Sequence, residues 1–278
     1  MDSRRRAFLT TGLLGAGAAA LSACTPSAAP SAGSTTTART TASPTPAASG
    51  SPSATPSARP TITTPPKPPA PYLSLPGKHF SFDDPRSPWV VVNKRRPLRP
   101  VDFVPPDLRQ PAVSTSASGE LALVNATTAT AAESMFAAAS ADGVGLVLAS
   151  GYRSHATQLR LYGSYAAARG TADADTASAR PGFSEHQTGW AFDLEDSGGA
   201  CAFLPCFADQ PAAQWAAARA AEFGFIVRYR MDQEHVTGYL AEPWHLRYIG
   251  VAAALDMRRK GIKNLEDYFG IPAAPGYL

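Results

Sequence analysis

Between residues 25 and 71 the chain has almost nothing with which to build a core. These 47 residues are nearly all Ser, Thr, Ala, Pro and Gly, with Arg39, Arg59 and Lys67 as the charges and Ile62 as the large aliphatic residue. A segment of this kind buries too little apolar surface to offset the entropy lost on ordering. It reads as a tether, and its proline content favours extended polyproline II, which at ~3.1 Å per residue reaches at most about 145 Å. Any fold must therefore come from residues 72–278, roughly 200 residues, enough for one domain with a substantial core. All four tryptophans fall there.

Ahead of the tether, "MDSRRRAFLTTGLLGAGAAALSAC" has an arginine cluster, a weakly apolar run and small residues before Cys24, the organisation of an export signal. The run from Phe8 to Leu21 is 14 residues, short of the ~20 that cross a bilayer. Arg5-Arg6-Ala7-Phe8-Leu9 resembles a twin-arginine signal and Leu21-Ser22-Ala23-Cys24 a bacterial lipobox. The resemblance implies cleavage before Cys24, lipidation of its thiol and a location on the outer face of the cytoplasmic membrane, facing the cell wall. The plainer alternative is an ordinary secretory signal with an incidental cysteine.

Cysteine usage fits an oxidising exterior. Apart from Cys24 there are two, Cys201 and Cys206 in "GGACAFLPCFAD", and nearby thiols in that environment usually pair. A zinc knuckle would need a second Cys/His pair, which is missing. The formal net charge of +3, partly from the signal arginines, argues against a dedicated nucleic-acid surface, which needs clustered basic residues. "NKRRPLRP" at 93–100 is the one basic run. A solvated loop explains it, with attraction to an anionic wall polymer as the other reading.

Periodicity within the domain predicts helices over 127–141, 155–169, 212–224 and 246–260, with Gly224 and Gly261 closing the last two. "VGLVLAS" at 144–150 and "FIVRY" at 225–229 read as strands. Short strands and helices without a regular βαβ rhythm indicate an α+β class.

The chemistry centres on "RPGFSEHQTGWAFDLED", residues 180–196, where His186 and Asp193 stand seven residues apart around a glycine. A lone histidine is more often a hydrogen-bonded structural residue, and a lone aspartate a cap, so the pair needs partners. "AEPWHLRY" supplies Glu242 and His245, three apart, a spacing that puts both on one face of a turn or incipient helix. Two imidazoles and one carboxylate make a tetrahedral zinc site open to water, and a further carboxylate nearby would accept the proton. There is no HExxH motif, which excludes a thermolysin-like site.

At these residues the chain resembles the VanY-type D-alanyl-D-alanine carboxypeptidases, zinc peptidases of bacterial cell walls. "SEHQTGWAFD" carries that family's Ser, His, Gly, Ala and Asp, and "EPWH" its Glu, Trp and His. "SGYRSHATQ" at 150–158 resembles the arginine-bearing turn and "VVNKRRPLRPVDFVPPDL" at 91–108 the N-terminal segment. The similarity extends from Val91 to Met257. It implies a small α+β domain of the hedgehog/DD-peptidase type, with a central antiparallel sheet flanked by helices. It further implies one zinc ion on His186, Asp193 and His245, with Glu242 as general base. Arg153 would stabilise the oxyanion, Gln158 and Ser184 would hydrogen-bond the peptide, and Trp244 would wall the pocket. His79, His155 and His235 match no metal position.

The implied activity trims the terminal D-alanine from peptidoglycan stem peptides, carried out by a monomer. Relatives with the same motifs act as L,D-carboxypeptidases or cut within stem peptides, and the loop bearing Cys201 and Cys206 is of the kind that selects which peptide end fits. A zinc-containing wall-binding module without chemistry is the alternative of another class, and Glu242 speaks against it, since a structural site needs no base.

Overall fold

The computed structural model describes residues 80–278. The export signal, Cys24, the tether and His79 lie outside the described residues.

Two short strands, β1 (Leu108–Arg109) and β2 (Val124–Asn125), pair antiparallel and lead directly into helix α1 (Ala126–Ala141). Asn125 caps this helix by accepting a hydrogen bond from the Thr127 N–H. Strand β3 (Leu146–Ser150) follows, then α2 (His155–Arg169), capped by the Ser154 hydroxyl, and α3 (Thr171–Ala177). The chain continues through β4 (Ala191–Asp196), α4 (Pro211–Arg219), β5 (Phe225–Tyr229), α5 (Glu234–Thr237), β6 (Glu242–Tyr248), α6 (Val251–Lys260) and α7 (Leu265–Phe269). The main sheet is four-stranded and antiparallel, in the order β3-β4-β6-β5, within the α+β class that the sequence predicts.

Alternation along the two central strands divides the sheet into two chemically different faces. Phe192 and Leu194 of β4, and Trp244, Leu246 and Tyr248 of β6, join the main core with Met135 and Phe136 of α1 and Trp215 of α4. Asp193, His245 and Arg247 occupy the intervening positions and are buried too. They must therefore find polar partners on the other side. Beside them a smaller apolar cluster of Ile249, Met257 and Leu265, with Ile226 and Trp89 packed against it, seats α6 and α7.

Two predicted elements differ in the structure. The expected helix over 246–260 is a strand to Tyr248 followed by α6, the two separated at Gly250, whose φ is +88°. Residues 212–224 form α4 and then a 3-10 turn, Ala220–Phe223, closed by Gly224 at φ +90°. Two glycines permit contacts that a side chain would block. A Cβ on Gly151 would lie 2.2 Å from the Leu123 carbonyl oxygen, and one on Gly189, at φ +69°, would lie 2.8 Å from Asn125 N. These approaches fix both sequence stretches that bear the site against the loop leading to α1.

Phe192 is fully buried, with its ring 5.3 Å from Phe225 and 6.4 Å from Phe136. Replacing it with alanine is expected to cost about 3–5 kcal/mol, read as a lower midpoint in urea denaturation with an unchanged slope.

Candidate metal centre

His186 lies on a 3-10 turn, Glu185–Thr188, that ends at Gly189 and runs into β4. Asp193 and His245 are directly paired across the β4–β6 ladder, an arrangement that holds Cβ atoms ~4.5–5.5 Å apart. The three side chains converge. His186 Nε2 is 3.4 Å from Asp193 Oδ2, His245 Nδ1 is 3.3 Å from Asp193 Oδ1, and the imidazoles meet edge to face at 4.8 Å. One ligand atom from each of the three lies within 4.8 Å of the others.

Glu242 reaches the cluster by a different route from the one the spacing predicts. On a regular strand, residues three apart face opposite ways. Here β6 is irregular: Val227 pairs with Leu246 but Tyr229 pairs with Glu242, so β6 spends four residues where β5 spends two. The surplus turns Glu242 back toward the cluster, with Oε2 at 3.5 Å from His245 Nδ1. Neither a turn nor an incipient helix is involved; the expectation on that point was wrong, although the juxtaposition it sought is present.

The far side of each imidazole is tied down. His186 Nδ1 donates to the Gly151 carbonyl at 2.7 Å, which leaves Nε2 as the basic nitrogen. His245 Nε2 lies 3.2 Å from Glu185 Oε2, which leaves Nδ1 facing Asp193. The other Glu185 oxygen accepts from Arg228 Nε at 2.9 Å and Arg247 Nη1 at 3.0 Å. Arg228 in turn grips Glu266 with both terminal nitrogens, at 2.8 and 3.0 Å. Sequence reasoning missed Glu185. The available signal was a charged residue directly before His186, matched by Arg228 in the otherwise apolar "FIVRY" and by Arg247 two residues after His245.

Electrostatics differ sharply among these groups. Burial disfavours a charge on Glu185, but Arg228 and Arg247 outweigh it and hold the carboxyl well below the usual range. Burial and the Arg153 guanidinium lower His186 to about 4, against the pull of Asp193. Burial also opposes a charge on His245, yet the neighbouring carboxylates of Asp193 and Glu185 raise it to about 9. Glu242 is pushed up to about 7, by burial first, with His245 pulling down and Asp193 pushing up.

The remaining predicted residues divide. Arg153, on the turn between β3 and α2, is half-buried, and its Nε has no hydrogen-bond partner. Its backbone N–H donates to His186 O at 3.3 Å. Ser184 is buried at the start of the 3-10 turn, and its hydroxyl makes no capping bond. Gln158 is fully buried. Its amide nitrogen is committed to Ser178 Oγ and Ala179 O, leaving only Oε1 unpartnered. Trp244 belongs to the main core, 6.0 Å from Phe203, on the face of β6 opposite His245; through these contacts it is a core residue rather than a pocket wall.

Cys201 and Cys206 form a disulfide in the loop that carries Phe203. His155 and His235 stand apart from the cluster. The basic run is no simple solvated loop: Lys94 is buried, and Arg96 is spent on Val91 O, Phe82 O and Asp83.

The donor set fits zinc. His186 Nε2 and Asp193 Oδ1 are buried without a hydrogen-bond partner, atoms whose desolvation a cation would compensate, and two imidazoles with one carboxylate are a catalytic zinc set. Since His245 is protonated below about pH 9 while His186 is neutral, a cation must displace the His245 proton. Zinc binding at pH 7 is expected to release at least one proton, that of His245 and part of that held by Glu242, with the His245 share fading above pH 9. Calorimetric titrations in buffers of different ionisation enthalpy measure it.

Residues 122–251 match the family model VanY, D-alanyl-D-alanine carboxypeptidase. The YodJ protein of Bacillus subtilis (strain 168) is 34% identical over 191 residues, covering 68% of this chain and 69% of that protein. Among solved structures, the LdcB LD-carboxypeptidase superposes with a TM-score of 0.63 at 34% identity, covering 67% of this chain and 87% of that one. The vancomycin-resistance D,D-pentapeptidase VanY in complex with Zn(II) gives 0.54 at 32% identity, covering 65% and 97%. The chain belongs to the VanY family of D-alanyl-D-alanine carboxypeptidases and is a zinc-dependent peptidoglycan carboxypeptidase.

Proposed function

We propose that the enzyme releases the terminal D-alanine of peptidoglycan stem peptides, with the pentapeptide as its first substrate. The observation that carries this reading is the Glu242 carboxyl, 3.5 Å from His245 and so beside the three residues that would hold a metal. A non-catalytic wall-binding module has no use for such a group. His186 Nε2, Asp193 and His245 Nδ1 would hold the zinc ion, which when bound lowers the pKa of a water toward neutrality. Glu242 takes a proton from the attacking water and delivers it to the leaving amine. The Arg153 guanidinium, whose Nε is unpartnered, stabilises charge growing on the carbonyl oxygen. Ser184 and the free oxygen of Gln158 are the candidates for binding the peptide.

One observation favours a second reading, L,D cleavage of the tetrapeptide: the TM-score is higher for LdcB, 0.63, than for VanY, 0.54. Incubation with defined tri-, tetra- and pentapeptide stems, with the products weighed, separates the two. Loss of one alanine from the pentapeptide alone supports the first reading, and loss from the tetrapeptide the second. On the same substrates, His186→Ala is expected to lose zinc. Glu242→Gln is expected to keep it and to turn over ~10²- to 10⁴-fold more slowly. Elemental analysis of the same preparations checks both, and a Glu242→Gln enzyme of near wild-type turnover would remove Glu242 as base.

In the same reading the enzyme works as a monomer outside the cytoplasmic membrane, lipid-anchored at Cys24, with residues 25–71 as its tether into the wall. The lipobox-like sequence and the Ser/Thr/Ala/Pro composition support this. Cys24→Ala is expected to shift the protein from the membrane to the soluble fraction with its specific activity intact, as detergent partition and peptide hydrolysis would read. Tight membrane association of the variant would argue against the anchor.

A further inference from the structure

Tyr277 touches the two chain segments that deliver the catalytic side chains, at equivalent distances along each. On one side its hydroxyl accepts the Arg180 N–H at 2.8 Å, its ring meets Phe183 edge to face at 5.1 Å, and the Arg180 guanidinium lies 4.2 Å over the ring. Phe183 stands three residues before His186. On the other side the Tyr277 and Tyr239 hydroxyls are 3.1 Å apart, and Tyr239 stands three residues before Glu242.

The segment around Tyr277 is itself held. The Ala274 N–H donates to Val236 O at 2.7 Å. Gly238, at φ +76°, lies so close that an added Cβ would sit 2.4 Å from the Pro275 carbonyl oxygen and 2.6 Å from Lys94 Nζ. Lys94 is buried with its ammonium on Gly238 O at 2.5 Å, and 4.3 and 5.6 Å from the ring centres of Tyr239 and Tyr277. It thus joins the segment leading to Glu242 to the segment bearing Tyr277, by one hydrogen bond and two aromatic faces.

From Tyr239 the contacts run inward. Its ring is 4.9 Å from Tyr229, which is 4.9 Å from His245. Glu242 follows Tyr239 closely and comes at the irregular end of β6, where its pairing with Tyr229 lies beyond the register shift. A carboxylate that must meet both a water and a leaving amine tolerates little misplacement: about 1 Å can cost on the order of 10²-fold in rate.

We propose that Tyr277, seated by Lys94, is a positioning residue for catalysis: it locks the segment leading to Glu242 against the segment leading to His186. It touches neither the metal ligands nor Glu242, and acts only through the chain on either side. The inference rests on the reading of Glu242 as base.

The test compares Tyr277→Ala with Tyr277→Phe in the zinc-loaded protein, with Glu242→Gln alongside. Tyr277 is only half-buried, so the alanine variant is expected to fold and to bind one zinc as wild type does. Its kcat on the preferred stem peptide is expected to fall at least about tenfold with a smaller change in KM. Tyr277→Phe keeps the ring on Phe183, Lys94 and Arg180, and is expected to recover most of that loss. Wild-type kcat in Tyr277→Ala overturns the inference, and so does a loss of kcat matched by a loss of zinc. Peptide-resolved hydrogen exchange separates its failure from failure of the functional reading. Removing the Tyr277 ring is expected to speed exchange over 180–185 and 238–242 together while β3 stays unchanged. No change in either segment overturns the inference whatever the enzyme cleaves, whereas a Glu242→Gln enzyme of full activity overturns the base assignment.

Discussion

The hydrogen bond between Glu185 and His245 links the metal centre to the scaffold around it. Behind this one carboxylate stand two arginines, and behind Arg228 a second carboxylate, Glu266, so the buried group closes at two positive and two negative charges. Asn93 donates to Glu266 at 3.0 Å, and Arg247 Nη2 takes the Pro88 and Val90 carbonyls at 2.9 and 2.8 Å. Taking one partner from a buried ion pair commonly costs about 3–5 kcal/mol, because the other charge is stranded. The network therefore behaves as a unit. Its output at the centre is geometric: it turns His245 so that Nδ1, not Nε2, faces Asp193.

The sheet supplies the rest of the precision. Cross-strand pairing sets Asp193 against His245, and Ser150 pairs with Asp193 from the other side, which brings the Gly151 carbonyl behind His186. Both imidazoles are thus oriented from behind by an acceptor, one a backbone carbonyl and one an ionised carboxylate. The carboxylate is the stronger acceptor of the two, and a metal-ligating imidazole gains basicity from such a partner. Glu242, by contrast, pairs with Tyr229 beyond the register shift at the end of β6. Two of the groups that would hold a metal, Asp193 and His245, face each other at one paired position of the β4–β6 ladder, whereas the group that would move protons lies beyond the register shift near the end of β6.

Much of this was legible in the sequence where a pattern had a single reading. Helix α2 spans the predicted residues and α1 begins one residue early, because each has an N-capping side chain ahead of an uninterrupted run. His186, Asp193, His245 and Glu242 were found as types and spacings, and they come together. Strand β6 was not found, because Leu246, Tyr248 and Ile249 continue into the alanine-rich α6 and imitate one helical stripe. A period-2 strand is recognised by its polar exposed face, and the polar face of β6 is buried: Arg247 is as inaccessible as Leu246. Glu185 was not singled out either, because its role depends on distant partners. Its partners lie 43, 60 and 62 residues away, at Arg228, His245 and Arg247, and only the folded chain shows that they meet.

The distribution of the four network charges along the chain has a consequence for biosynthesis. A ribosome would release Glu185 first, then Arg228 and Arg247, and Glu266 last. Until Glu266 arrives, the nascent polypeptide has two guanidiniums for one carboxylate at a place where water is excluded, and the interior cannot close around an unbalanced charge without a large penalty. On this charge count the network is complete only once Glu266 has emerged. A chain cut short before Glu266 would leave Arg228 without the carboxylate that binds both of its terminal nitrogens.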